Sequence, residues 1–405
     1  MLLSLVILYG CSTPGNKNST NMKESIIKGN YGYDSAFFAD HNIKTIELID
    51  GEGRARVMII PGYQGRVMTT TANGIGGKSF GWINYKHIES GIVNPQFNPY
   101  GGEERIWFGP EGGPFSIYFR KGKEQVFANW LVPKQIDTEM FDVKEQTQTS
   151  VSFNKTFSLG NASGTTLDVS VDRKVRLLTV SESEKAFGLE IDPSLSMVGY
   201  ESINTLTNKG KEAWTEKSGA LSIWMLAMFN PSEQGIVFIP YKEGAEKGKI
   251  VTDDYFGKVP AERLIVDNGI IFFRTDGKFR SKIGISPEKV LPVCGSYDPE
   301  NKVLTLLMFS LPEKPSKYVN SKWGKQEDPF TGDVVNSYND GPVEDGSVMG
   351  PFYEIESSSP AAFLKPEEGI THIQKIFHIT GNEEKLNLIT QKLFNLSLAE
   401  IKEVF

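Results

Sequence analysis

Histidine and cysteine are scarce in this chain, and their scarcity excludes several kinds of chemistry. Four histidines and two cysteines occur in 405 residues, without a Cys-x-x-Cys or His-Glu-x-x-His spacing. No glycine-rich phosphate-binding motif is present either. The sequence therefore offers no support for a zinc, nucleotide or redox site, and we predict neither a bound metal nor a cofactor.

An excess of basic charge is also lacking. The chain has 43 Lys and Arg against 50 Asp and Glu, a formal net charge of -7. Because no basic field attracts phosphates, we exclude a nucleic-acid partner. The 39% hydrophobic and 23% charged residues are typical of a globular protein rather than a disordered one.

The apolar run at the start of the chain is too short to span a bilayer, but it is typical of an export signal. It ends in the letters LYGC at Cys11, which resemble the lipobox of bacterial lipoproteins. That resemblance implies a signal peptide over residues 1–11, ending at a lipidated Cys11, and a flexible tether over residues 12–25. We expect an outer-membrane lipoprotein facing the periplasm or the cell surface, with no disulfide partner for Cys294. The alternative is a cytoplasmic protein with an apolar N-terminus.

Strand signals dominate the rest of the chain. Short β-branched and aromatic runs alternate with Gly, Asn, Asp and Pro, and the 40 glycines suit a turn-rich protein. The run LSIWMLAMF at 221–229 is apolar on both faces, as expected for a strand between two layers. No long polar linker interrupts residues 26–405, which we predict to form one all-β sandwich domain.

Helical spacing is scarce until the end of the chain. Leu386, Ile389 and Leu393 recur at the helical period, and Ser397 with Glu400 forms a capping box. The sequence therefore predicts a short C-terminal helical segment on the β body.

Four stretches, taken in order, resemble the galactose mutarotase-like superfamily, which includes the aldose 1-epimerases. The resemblance extends from Lys44 to Thr380 and is closer to an uncharacterised lipoprotein branch than to true epimerases. It implies a supersandwich of antiparallel sheets with a concave face that binds a mono- or oligosaccharide. The stretches are VMIIPGYQGRVMTTTANG, NPYGGEERIWFGPEGGPFSIYF, ESINTLTNKGKEAW and YEIESSSPAAFLKPEEGITH.

Mutarotation needs a base for the anomeric hydroxyl and an acid for the ring oxygen, and the family uses a late Glu and a mid-chain His. Glu354 and Glu356 match the Glu, but no His lies between His87 and His372. His87 is the candidate substitute; otherwise it is an exposed loop residue. His372 and His378 share one face of the last predicted strand, and we expect that face to be in solvent.

Glu354 and Glu356 lie on one face of a predicted strand, together with Phe352, because side chains alternate. Tyr353 and Ile355 point the other way. The glutamate face is either solvated or the lining of a sugar site, since a saccharide uses carboxylates for its hydroxyls and an aromatic ring for its CH groups.

The stretch GGEERIWFGPEGG has the same mixture of residue types. Arg105 and Trp107 would share one strand face, and with Glu104 they are candidate substrate-binding residues. The alternative is a core Trp107 with Arg105 in an ion pair with Glu103 or Glu111.

A further candidate segment is DPFTGDVVNSYNDGP, which we interpret as an Asx-rich turn over the cleft. Tyr338 and Trp323 flank it and could close over a saccharide. Its spacing does not fit an EF-hand, because position twelve counted from Asn336 is Ser347.

The sequence therefore predicts a monomeric carbohydrate-active protein with a concave sugar-binding cleft. It could be an aldose epimerase-like enzyme that uses a Glu base. The alternative function is a non-catalytic carbohydrate-binding lipoprotein, which the missing mid-chain His favours.

The lipid anchor is testable by replacing Cys11. The variant Cys11→Ser should move the protein from the membrane to the soluble fraction, because the acyl chains on that cysteine hold it at the bilayer. Immunoblots of fractionated cells measure this, with Cys294→Ser as the control that stays in the membrane. An unchanged membrane share in Cys11→Ser would contradict the prediction.

Overall fold

The computed structural model describes residues 27–244, 249–343 and 345–405. The predicted signal peptide with Cys11, and the predicted tether, lie outside the described residues.

Strands account for most of the regular structure. In chain order they are β1 (Ile46–Ile49), β2 (Arg56–Ile60), β3 (Arg66–Thr71), β4 (Arg105–Gly109), β5 (Asp142–Gln146), β6 (Ser150–Gly160), β7 (Thr166–Leu177), β8 (Ser196–Asn208), β9 (Ser222–Phe229), β10 (Ile236–Pro240), β11 (Leu264–Asp267), β12 (Ile270–Arg274), β13 (Ser281–Ile285), β14 (Val293–Asp298), β15 (Val303–Phe309), β16 (Val335–Asn339), β17 (Tyr353–Ser358) and β18 (Gly369–Thr380).

The helices are few and short. They are α1 (Tyr31–Asp40), α2 (Tyr85–Ser90), α3 (Val180–Phe187), α4 (Glu383–Phe394) and α5 (Leu398–Glu403), with single 3₁₀ turns at Pro61–Tyr63, Phe127–Asn129 and Lys134–Ile136. The C-terminal pair is confirmed, including the capping box of Ser397 and Glu400. Helices are scarce before that end, as predicted, since only the short helices α1, α2 and α3 precede the pair in the described residues.

In the described part of the chain, the strands form three antiparallel sheets. Strands β1, β2 and β3 make a three-stranded sheet. The ten-stranded sheet has the order β11-β12-β10-β14-β15-β18-β8-β7-β6-β5, and the five-stranded sheet has the order β13-β16-β17-β9-β4. The predicted all-β sandwich of antiparallel sheets is confirmed.

The five-stranded sheet packs one of its faces on the ten-stranded sheet. From β17, the Tyr353 hydroxyl lies 2.7 Å from the Ser296 hydroxyl on β14, and Ser357 donates to Gln374 on β18 at 2.7 Å. Between these polar contacts Ile355 is fully buried, as are Ile223 and Ala227 of the neighbouring β9. The opposite face of the five-stranded sheet is therefore free to carry a site.

Helices cover the far face of the ten-stranded sheet. Phe187 of α3 packs edge-on against Phe377 of β18, with ring centroids 4.7 Å apart. Phe394 of α4 meets Phe238 of β10 at 4.8 Å in the same way. This second apolar layer buries the side of β18 that points away from the five-stranded sheet.

A polar layer lies between the two large sheets. Glu104 accepts from Arg173 at 2.7 Å, from Ser202 at 2.9 Å and from Gln374 at 2.9 Å. His378 lies within 3.0 Å of Glu103 and 2.8 Å of the Thr305 hydroxyl. The layer is internal, and each of its members is held by other side chains rather than by solvent.

The expectation that His372 and His378 face solvent was wrong, since each is only 1% exposed. Strand β18 lies in the middle of the ten-stranded sheet, between β15 and β8, and its polar face is covered by the five-stranded sheet. Polar residues on one strand face thus mark a hydrogen-bonded interior here, not a surface.

The burial of His372 predicts a pH dependence of stability. Burial lowers the pKa of His372 to about 3, while an unfolded histidine titrates near about 6.5. Between these two pKa values the unfolded state binds a proton at His372, whereas the folded state does not. The contribution of neutral His372 to the free energy of unfolding is therefore fully present above about pH 6.5 and is lost as the pH falls towards about 3.

The variant His372→Gln isolates that contribution. It should be less stable than the wild type near neutral pH, because the bonds to Ser357 and Ser310 are disturbed. The difference in free energy of unfolding should shrink as the pH falls from about 7 to about 4. Denaturant unfolding at a series of pH values measures it, and a difference that does not change with pH would refute the assignment.

Candidate functional site

A cleft of about 1300 Å³ opens on the free face of the five-stranded sheet. It is larger than the roughly 300–1,000 Å³ of ordinary small-molecule sites. Aromatic and charged side chains share its walls. The principal lining residues are Glu111, Phe127, Trp224, Tyr255, Phe256, Phe279, Arg280, Lys282, Lys322, Trp323, Asp333, Asn336, Tyr338 and Asp340.

Strand register sets the floor of this cleft. Trp224 of β9 is paired with Trp107 on one side and with Ser358 on the other. Tyr338 of β16 is paired with Glu354 and with Lys282. Directly paired residues of antiparallel strands share a face, so all of these side chains start from the same side of the sheet.

Glu356 is the centre of one buried ion pair in the floor. Lys282 donates to both of its carboxylate oxygens at 2.9 Å, and Trp224 Nε1 donates at 2.8 Å. The Lys282 ammonium also lies 5.1 Å from the centre of the Trp224 ring. Burial alone would lower the pKa of Lys282, but the negative charges of Glu356 and Glu111 raise it above its usual value.

Glu354 and Arg105 make a second buried pair. The Arg105 Nη2 group donates to Glu354 at 3.3 Å, and the guanidinium lies over the Trp107 ring at 4.0 Å. Burial raises the pKa of Glu354 well above its usual range; Arg105 opposes the rise, and the charge of Glu356 adds to it. Neither carboxylate belongs to the cleft lining. The structure thus brings the two glutamates together beneath the cleft, not at its surface and not in solvent.

Trp107 is a core residue. It is 3% exposed, its Nε1 group donates to the Ile136 carbonyl at 3.2 Å, and it packs among Trp130, Trp224 and Tyr118. It is not an open stacking platform. Arg105 does make the structural ion pair given as the alternative, but its partner is Glu354 and not Glu103 or Glu111.

Glu104 does not reach the cleft. It precedes β4 on the opposite face from Arg105 and is fully buried in its ion pair with Arg173. This placement corrects the prediction that Glu104 is a substrate-binding residue. The alternation of side chains sends neighbouring residues to opposite layers, so Glu104 and Arg105 could not both line one site.

His87 and Phe352 are also outside the cleft lining. His87 lies in α2, beside the three-stranded sheet, where its ring packs 5.1 Å from that of Tyr100. Phe352 is 2% exposed and lies between Trp82 and Tyr338, with ring centroids 4.6 and 5.6 Å away. The fold therefore does not place His87 beside Glu354 and Glu356. Phe352 packs against the Tyr338 ring beneath the cleft.

Tyr338 does line the cleft, as predicted, and so does Trp323. The Tyr338 hydroxyl donates to Asp340 at 2.9 Å and accepts from Arg280 at 3.3 Å. The segment interpreted as an Asx-rich turn, residues 328–342, consists of β16 with turn and loop residues on both sides of it. Among the residues that the structure describes, no group of three or more His, Cys, Asp or Glu side chains is placed to hold a metal ion.

Several lining residues were missed by sequence reasoning. Arg280 and Lys282 occupy alternate positions in RSKIGI, a pattern that marks a half-polar strand but not a site. Glu111 lies just beyond β4, where burial raises its pKa and the charge of Glu356 adds to the rise, against the effect of Lys282. Burial likewise raises the pKa of Asp333, although its hydrogen bond from Tyr255 at 2.6 Å opposes this.

The described residues form a sandwich of antiparallel sheets, and several solved structures are similar to this chain in fold. The Slr1438 protein from Synechocystis sp. PCC 6803 has a TM-score of 0.50 at 13% identity, over 84% of this chain and 96% of that one. A galactose mutarotase-like protein from Lactobacillus casei ATCC 334 has a TM-score of 0.45 at 12% identity, over 83% and 100%. A galactose mutarotase related enzyme from Lactobacillus acidophilus has a TM-score of 0.44 at 11% identity, over 83% and 97%. At such identities the likeness concerns the fold alone.

The chain belongs to the family of unknown function DUF6786, which matches residues 29–405. No curated protein matches the chain significantly. Within the described ranges, no helix combines the length and the apolar character needed to cross a bilayer.

The floor of the cleft can be tested through Lys282. The variant Lys282→Met should lower the free energy of unfolding by about 3–5 kcal/mol, because it leaves the buried Glu356 carboxylate without its counter-charge. The double variant Lys282→Met/Glu356→Gln should recover part of the loss. Denaturant unfolding measures both.

Lys317→Met is the matched control, since its ion pair with Glu216 is exposed and should matter little. Equal losses of stability in Lys282→Met and in the double variant would show that the buried charge is not the cause.

Proposed function

We propose that this protein binds a saccharide in the cleft on the five-stranded sheet. The observation that carries the proposal is that the cleft walls contain both aromatic rings and hydrogen-bonding side chains. A sugar presents apolar CH faces and a rim of hydroxyl groups, and these two kinds of surface suit rings and polar groups respectively.

The polar groups in the cleft offer both donors and acceptors. Arg280, Lys282 and Lys322 are donors, whereas Asp333 and Asp340 are acceptors. Their charges are largely balanced by neighbours: Lys322 pairs with Asp254 at 2.9 Å, and Lys282 pairs with Glu356. A neutral, hydroxyl-rich ligand fits such a site better than a strongly charged one, because it exchanges hydrogen bonds without leaving an ion unpaired.

Binding without catalysis is supported by the positions of the histidines. All four lie in the described part of the chain, and none lines the cleft. His41 follows α1, His87 packs against Tyr100, and the other two are internal. The imidazole acid used by the epimerases that this sequence resembles therefore has no counterpart in the cleft.

A second candidate function, aldose mutarotation, is favoured by Glu111. This carboxyl group lines the cleft, and burial raises its pKa, so it could retain a proton for the ring oxygen. Glu356 would have to leave Lys282 to take the proton of the anomeric hydroxyl. With an anchor at Cys11, either function would operate on glycans outside the cytoplasm.

A saccharide binding screen, run beside polarimetry on the sugars that bind, separates the two candidates. For binding alone, we expect saturable affinity, no acceleration of mutarotation, and at least a tenfold loss of affinity, about 1.4 kcal/mol, in Tyr255→Ala. Leu388→Ala, on the exposed face of α4, is the control that should bind as the wild type does.

Mutarotation that disappears in Glu111→Gln would establish the enzyme instead. If no saccharide binds at any accessible concentration, the proposed function is wrong.

A further inference from the structure

We propose that the cleft binds an internal stretch of an oligosaccharide chain, held by aromatic platforms at its two ends, rather than a single sugar. This inference rests on the proposed function and specifies its ligand class. It is carried by the distribution of exposed rings and by the strand order beneath them.

Exposed phenylalanine and tryptophan side chains are concentrated at the cleft. Five such side chains are exposed in the described residues, and four of them line this one cleft. The exception is Phe363. Because large rings left in water carry a free-energy cost, their concentration in one cleft indicates a surface for a ligand. The four are Phe127, Phe256, Phe279 and Trp323.

Phe127 and Trp323 form the first platform, beside β4. Their rings are the outer members of a stack through Trp130, with centroids 6.0 and 6.3 Å apart and planes inclined by 18° and 25°. Trp130 in turn packs against Trp107 of β4. The stack fixes the orientation of both outer rings, so they are preorganised for a pyranose face.

Phe256 and Phe279 form the second platform, beside β13 and β16. The Arg280 guanidinium lies 3.8 Å from the centre of the Phe256 ring, and Tyr338 meets the same ring edge-on at 5.9 Å. Phe279 lies 5.3 Å from the guanidinium of Arg263. These contacts fix both rings at the opposite border of the sheet.

The separation of the platforms follows from the strand order. Strands β4 and β13 are the two edges of the five-stranded sheet. Four intervals of about 4.8 Å place the edges about 19 Å apart, which is several times the width of a pyranose ring. One sugar cannot touch both platforms, whereas a chain of several sugars can.

The polar centre then lies under an internal sugar of the chain. Lys282, Trp224 and Asn336 come from β13, β9 and β16, between or beside the platforms. An internal sugar has its anomeric oxygen in a glycosidic bond, so it has no anomeric hydroxyl proton for a base to remove. The same geometry therefore favours binding over mutarotation.

Chain-length dependence tests the inference. Isothermal titration calorimetry would use glucose with maltose to maltohexaose and cellobiose to cellohexaose, and xylose with xylobiose to xylohexaose. In at least one series, affinity should rise tenfold or more between the monosaccharide or disaccharide and the hexasaccharide. Trp323→Ala and Phe256→Ala should each lower hexasaccharide affinity about tenfold. At least one of these two variants should leave disaccharide affinity unchanged.

Phe363→Ala is the matched control, because Phe363 is as exposed as Trp323, at 37%, but lies outside the cleft lining. Far-UV circular dichroism and thermal unfolding verify that each variant is folded.

The possible results separate this inference from the function on which it rests. Equal affinity for a monosaccharide and its hexasaccharide, or hexasaccharide binding that neither end variant weakens, would overturn the two-platform inference and leave saccharide binding intact. No binding in any of the three series would overturn both.

Discussion

A buried carboxylate must have a partner, and the rest of this structure depends on how that requirement is met. On the inner side of the five-stranded sheet, Glu104 is paired with Arg173, and both side chains are inaccessible to solvent. On the outer side, Glu356 is paired with Lys282 and Glu354 with Arg105. Removing a partner from such a pair leaves an uncompensated charge at low dielectric, which costs far more than an exposed ion pair gains. The five-stranded sheet therefore has to place the strands that carry these charges side by side. The ion pairs of Glu356 with Lys282 and of Glu354 with Arg105 then form the floor of the cleft.

The period of two along a strand accounts for what was correct in the sequence interpretation. It placed Ile355 and Tyr353 opposite Glu354 and Glu356, and it placed Arg105 with Trp107; both divisions hold in the structure. The C-terminal helices were predictable because their caps and apolar spacing are local signals. The alternation assigns each side chain to one face of its strand. It does not show whether that face meets solvent or another sheet.

The errors come from partners that are distant in sequence. Lys282 is 74 residues from Glu356, and Arg105 is 249 residues from Glu354, so local patterns could not reveal that the glutamates are buried. His372 and His378 were assigned to solvent for the same reason. Helix α3 is different, because Thr179 and Glu182 form a capping box that is visible in TVSESEKAFG and was overlooked. The cleft residue Glu111 has no local signal, since its environment is made by Lys282 of β13, Glu356 of β17, and the distant Trp130 and Trp323.

The hydrogen-bonded layer inside the sandwich has a consequence for how the sheets can move. An interface of aliphatic side chains alone tolerates small sliding displacements, because dispersion contacts have little directional preference. Here the bonds from Ser357 to Gln374, and from Gln374 to Glu104, join the two sheets at fixed donor and acceptor positions. A shift of one sheet across the other would break several buried bonds at once, at a cost that rises abruptly rather than gradually. We infer that the sandwich has a single discrete registry, so that the two sheets behave as one rigid body.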